Sequence, residues 1–284
     1  MSTVLTEPLA TAPFYELAAL VSHLTTEDDE PVDNLFSEKQ QRLLTEPLYS
    51  SWTPPVTDDE TPVRPFLAAA NVGIFPTVHQ PPLVPDMFLS LDVSVPDNWF
   101  DKEKRSYFFW EFGKVPEIVV EIVSNRKGNE DSGKLRGYAR IRVPYYVIYD
   151  PTRSLSPEVL RVFELGNGHY QRCADNHLTE TGLTAVLWQG RFEAKEGTWL
   201  RWADAITGVI IPTGAERAQQ EATRADQETI RAEQEAARAN QDTARADQET
   251  LRAEQEAARA EQATAKAARL AAKLRKMGLD PELL

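Results

Sequence analysis

The chain has 284 residues, of which 26% are charged, with a formal net charge of −13 and one cysteine. That cysteine, Cys173, excludes an intramolecular disulfide and a cysteine-built zinc centre, and His23, His79, His169 and His177 are scattered without ligand spacing. No apolar run approaches the ~20 residues of a membrane-spanning helix, and the first residues lack a basic start and an apolar signal core; a cytoplasmic protein without a membrane partner is expected.

The negative charge is uneven. Residues 1–60 carry 12 acids and 2 bases, whereas 101–142 hold ten basic residues against seven acids. A modest basic island therefore sits inside an acidic protein, which leaves room for a phosphate-bearing partner.

In chain order, residues 1–33 mix Thr, Pro, Glu and Asp and predict a poorly ordered acidic arm. From Asn34 to Leu48 the pattern turns helical, with Leu35, Phe36, Leu43 and Leu44 available for one face and Pro47 limiting its run. Between Pro65 and about Ile211, β-rich runs at 66–77, 86–95, 117–124, 144–150, 159–165, 183–193 and 198–203 alternate with turn signals. A helical stretch from Ser132 to Arg140 separates the strands 117–124 and 144–150, which predicts a strand-helix-strand crossover. The fold class is therefore α/β, a mixed sheet flanked by helices.

Two of those strands carry acids. In Pro116-Glu117-Ile118-Val119-Val120-Glu121-Ile122-Val123-Ser124, Glu121 lies inside an apolar, β-branched run. An ionised carboxylate there costs several kcal/mol unless a cation or donor meets it, so Glu121 is a site candidate. Asp86 opens a second apolar run after Pro85. Two strand-borne carboxylates suit Mg²⁺, with Mn²⁺ as a substitute, because such ions are held by one or two carboxylates and keep waters that a phosphate oxygen can replace.

The other acids read differently. Glu117 is better explained as a solvated strand-edge acid than as a third ligand, and Asp131 as a helix cap. Asp150 reads as a turn acid, and Asp92, about 20 Å along the strand from Asp86, is too far to share an ion. Tyr145-Tyr146 and Phe108-Phe109-Trp110 could stack on bases, but core packing explains them better.

From Ala215 the chain reads in sevens, AERAQQE, ATRADQE, TIRAEQE and onward, and block 224–244 recurs at 245–265 with three changes. A long helix over 214–284 is predicted. Its seam of Ala218, Ala222, Ala225, Thr229, Ala232 and Ala236 buries little, so a solvated single helix and a coiled coil both stay open. Gly278 and Pro281 close it. Three units result: the arm 1–33, an α/β domain 34–213 and the helix 214–284.

The order VPDMFLSL, PEIVVEIVSN and KLRGYARIRVPYYVIYDP, with LWQGRFE, WLRWAD and the closing Met277-Gly278-Leu279-Asp280-Pro281, resembles the Uma-type restriction endonucleases of the PD-(D/E)XK nuclease superfamily. The resemblance implies a metal-dependent endonuclease that hydrolyses DNA phosphodiester bonds, with Asp86 and Glu121 as metal ligands. The superfamily pattern puts a lysine two residues after the second acid, where this chain has Val123; Lys134, on the following helix, stands where such relatives supply it instead. Asp86, Glu121 and Lys134 are thus the expected catalytic set. A homodimer is expected by analogy with nucleases that cut two strands. The alternative is an inactive nuclease-fold binding module or scaffold that meets a protein partner through its helical tail.

Overall fold

The computed structural model describes residues 34–56, 64–124 and 133–277. The expectations for the arm 1–33, for Asp131 as a helix cap and for the Gly278/Pro281 helix end lie outside the described residues. By compactness the chain divides between Arg217 and Ala218.

The first unit is built on a six-stranded mixed sheet. Its strands are β1 (Phe66–Ala70), β3 (Met87–Leu91), β5 (Ile118–Ile122), β6 (Tyr145–Tyr149), β7 (Leu160–Gly166) and β8 (His169–Arg172), side by side in that order. The β5–β6 pair is parallel, as the crossover through helix α3 (Leu135–Arg140) requires, and its neighbours are antiparallel. A short parallel pair, β2 (Ile74–Phe75) with β4 (Tyr107–Phe108), and the one-turn helix α2 (Phe109–Phe112) lie between these elements in sequence. A three-stranded sheet of β9 (His177–Leu178), β10 (Leu183–Phe192) and β11 (Lys195–Asp204) completes the β structure.

Residues 118–122 are all buried, and alternation sends them to opposite faces. Ile118, Val120 and Ile122 enter a core with Leu44 and Leu48 of helix α1 (Leu35–Ser51), Val147 and Trp202. Val119 and Val123 enter a second core with Phe88, Tyr138 of α3, Tyr146 and Ile148. Glu121 shares the face of Val119 and Val123. Tyr145, Tyr146 and Phe108 are fully buried, which agrees with packing as their role.

Several elements differ from the sequence reading. Helix α1 continues past Pro47 to Ser51, and the Trp202 indole N–H bonds the Leu44 carbonyl at 2.9 Å just before the proline. Leu35 does not join its buried face but is 84% exposed. The run 66–77 is two strands, broken where Asn71 takes left-handed backbone with φ 54°. Strand β8 was not foreseen. It forms a hairpin with β7 through Asn167-Gly168, both at positive φ, the turn that matches strand twist.

The long helix α4 runs from Gly214 to Lys276, 63 residues, and none of its residues is buried. Its start is a capping box: Glu216 N–H donates to Thr213 Oγ1 at 3.1 Å, and the Glu216 carboxylate accepts from Thr213 N–H at 2.8 Å. The same carboxylate takes both ends of the nearly buried Arg201 guanidinium, at 2.6 and 2.8 Å. Glu216→Ala strips the cap and leaves a buried cation without its anion. Urea unfolding should show a loss of about 2 kcal/mol, whereas Glu228→Ala, further along the exposed helix, should cost less than about 0.5 kcal/mol.

Candidate active site

Antiparallel pairing of β3 with β5 sets Met87 opposite Val120, so the next position in that register sets Asp86 opposite Glu121. Residues opposite one another on antiparallel strands share a face, with Cβ atoms about 5 Å apart. Pro85 has no N–H to continue the ladder. Instead the Ile122 N–H donates to Asp86 Oδ2 at 2.6 Å. The two acids, 35 positions apart in sequence, are thereby brought together.

The N-cap position of helix α3 supplies the third group, Lys134, with helical backbone. Lys134 and Tyr138 are four residues apart and so lie on one helical face. Lys134 Nζ donates to Glu121 Oε2 at 2.7 Å, and Tyr138 Oη donates to Glu121 Oε1 at 2.8 Å. Between them Gly137 packs on Leu83: a Cβ there would stand 3.1 Å from Leu83 Cδ2. The valine two residues after Glu121 packs in the core, 1% exposed, with its N–H bonded to Tyr149 O at 2.8 Å. The cation beside Glu121 comes from the helix and not from the strand.

Two further residues belong to the cluster and were missed by the sequence reading. Gln41 of α1 donates to Asp86 Oδ1 at 3.0 Å. Its amide also exchanges hydrogen bonds with Asn71, at 3.0 and 3.1 Å. The signal that could have found them is weak: a buried glutamine on an amphipathic helix and an asparagine that breaks a strand.

The electrostatics follow from burial. Glu121 is wholly buried, which is the largest influence on its carboxyl and pushes it up to about 8; the ammonium of Lys134 opposes this and the neighbouring Asp86 adds to it. Burial also raises Asp86, opposed by the Ile122 N–H and the Gln41 amide. Tyr138 is held far above its ordinary value by burial and then by Glu121, so it acts as a hydrogen-bond donor throughout the ordinary pH range.

The donor set fits a hard divalent cation. Each carboxylate oxygen accepts a hydrogen bond from the protein and an sp² oxygen has a second lone pair, and two adjacent, poorly solvated carboxylates are stabilised by a positive charge between them. Among the described residues no group of three or more His, Cys, Asp or Glu is placed to hold a metal ion, so waters or substrate oxygens would have to complete the shell.

The remaining acids lie elsewhere. Glu117 is neither solvated nor part of the cluster: it accepts from Leu91 N–H at 2.8 Å and pairs with Lys114. Asp92 pairs with Arg64 at 2.7 Å. Asp150 accepts from the Ser154 and Leu155 N–H groups at 2.8 and 2.7 Å, as a turn acid does.

Comparison with known families gives one finding: the family model Uma2, described as "Putative restriction endonuclease", matches residues 31–188. The matched stretch contains all of Gln41, Asn71, Asp86, Glu121, Lys134 and Tyr138. No curated protein matches the chain.

Proposed function

The chain belongs to the Uma2 family of restriction-endonuclease-like nucleases, and from that premise we propose that it is a metal-dependent DNA endonuclease whose active residues are Asp86, Glu121 and Lys134. The observation that carries the proposal is the meeting of the buried Glu121 carboxylate on β5 with the partly buried Asp86 carboxylate at the entry to β3 and with Lys134 at the start of the next helix. Asp86 and Glu121 would hold Mg²⁺ or Mn²⁺. When bound, the ion supplies Lewis-acid activation of the phosphodiester and of the attacking water.

The protein's own groups do the rest. Gln41 and the Ile122 N–H fix the Asp86 carboxylate, and Tyr138 fixes that of Glu121. Lys134 is paired with Glu121. Its side chain is 34% exposed, so its ammonium can turn toward solvent-side phosphate and place a positive charge where negative charge develops. Burial of Glu121 keeps its carboxyl dry, which strengthens every electrostatic interaction it makes.

Plasmid and oligonucleotide cleavage tests this reading. Purified protein should cut with Mg²⁺ or Mn²⁺ and not with EDTA, and Lys134→Ala should reduce the rate about a hundred-fold or more. A Lys134→Ala rate equal to wild type would remove the lysine from the mechanism. One observation favours a second reading, an inactive nuclease-fold module or scaffold: the site of the usual strand lysine is closed by core-packed Val123. Absence of cutting with either ion, together with absence of any effect of those ions on thermal stability, would establish that alternative.

A further inference from the structure

A cavity of about 710 Å³ opens on the face of the sheet that carries Glu121. That volume is within the roughly 300–1,000 Å³ of small-molecule clefts. Phe88 forms part of its wall, and Trp99 and Phe100 stand at its rim, 56% and 78% exposed, with ring centroids 5.8 Å apart. Large aromatic side chains left this open are unusual unless something covers them. Among the described lining residues the charged ones are both cations, Lys104 and Arg105.

The cavity is tied to the carboxylate cluster in two ways. Phe88 is two residues beyond Asp86 on the same strand face, about 7 Å away. Val72, another wall residue, follows Asn71, which bonds the Gln41 amide that in turn bonds Asp86. A nucleotide bridges such a distance from its phosphate to its base.

We propose that this aromatic cavity binds an unpaired nucleobase next to the phosphodiester held at Asp86 and Glu121, so that the substrate is single-stranded or locally unpaired DNA. The inference rests on the nuclease reading above. Every base offers a π-face for aromatic stacking, and the two cations suit the adjoining backbone phosphates. A base still paired in a duplex cannot enter a concave, apolar recess without leaving its stack. The short helical turn Lys102–Lys104 and the loop bearing Trp99 and Phe100 thereby gain a role that core packing does not give them.

Equilibrium binding in EDTA, where no strand is cut, separates this proposal from the nuclease reading. The probes are a short fluorescein-labelled single-stranded oligonucleotide and its counterpart with abasic central nucleotides, titrated by anisotropy into the full-length protein. Loss of the bases should weaken wild-type binding about ten-fold and should not weaken binding to a Trp99→Ala/Phe100→Ala variant. Trp99→Phe should restore most of the discrimination, which guards against a folding defect. Equal loss in wild type and the double variant, no loss in either, or no binding by wild type would overturn the proposal. Failure of cleavage alone would overturn the nuclease reading and leave the binding result legible.

Discussion

Glu121→Gln should abolish metal-dependent cleavage, by about a thousand-fold or more, while leaving the metal-free protein at least as stable as wild type. Both halves follow from the geometry. The amide can turn its carbonyl toward Lys134 and its NH₂ toward the Tyr138 oxygen, which can accept, so the two contacts at 2.7 and 2.8 Å survive in kind. The substitution also removes a buried ionisable group, whose burial, with the neighbouring Asp86 adding to it, raises Glu121 to about 8 in wild type. What the amide lacks is the negative charge that holds a divalent cation, an interaction whose chemistry is worth several kcal/mol in the transition state. Asp86→Asn should fall in parallel with it. Cleavage kinetics beside thermal unfolding check the pair of outcomes: wild-type cutting by Glu121→Gln would remove Glu121 from the site. A large loss of stability would mean that its charge serves the fold instead, contrary to the usual exchange of stability for activity at catalytic positions.

The acidic pair was legible because composition is informative where it is costly. A glutamate in an Ile/Val run needs a physical reason, and Asp86 stood out as a second acid opening an apolar run, whereas Lys134 came only from the family resemblance. The register that sets Asp86 opposite Glu121 was not legible, since an antiparallel pairing of strands 27 or more residues apart is decided by the whole sheet. Gln41 and Asn71 were hidden for the same reason, being short-range neutral groups whose partners come from distant elements. The β7–β8 hairpin was legible and overlooked, for Asn167-Gly168 is a strong two-residue turn signal. The β10–β11 hairpin is the opposite case. Its turn is Glu193-Ala194, both in left-handed backbone that neither residue favours. Glu193 is held there by ion pairs to Lys39 and Arg42 of helix α1, partners that no local pattern reveals.

In the metal-free protein, thermal stability should fall as pH rises from 6 to 8, and a divalent cation should reverse the fall. The Glu121 carboxyl, ordinarily near 4.5, is raised to about 8 in the folded chain. Between those values the folded state keeps a proton that the unfolded state has released, so raising the pH favours unfolding. Asp86 is raised as well and acts in the same direction. The carboxylates whose values are lowered by partners, among them Asp92 beside Arg64 and Glu216 beside Arg201, work the other way. Their contribution is complete above the ordinary carboxylate range and is lost only as pH falls below it, so these carboxylates add nothing to a change between pH 6 and 8. Across that interval the loss is on the order of 2 kcal/mol, a fall in Tm of about 5 °C. Mg²⁺ or Mn²⁺ requires both carboxylates ionised, so its binding competes with the proton, and the increase in Tm it gives should be larger at pH 8 than at pH 6. Differential scanning fluorimetry of wild type and Glu121→Gln reads both effects at once. In the variant the decline between pH 6 and 8 should shrink and the cation should add little. A wild-type Tm that is flat across this interval and indifferent to either cation would show that the two carboxylates do not form the coupled, ion-binding pair on which the nuclease reading depends.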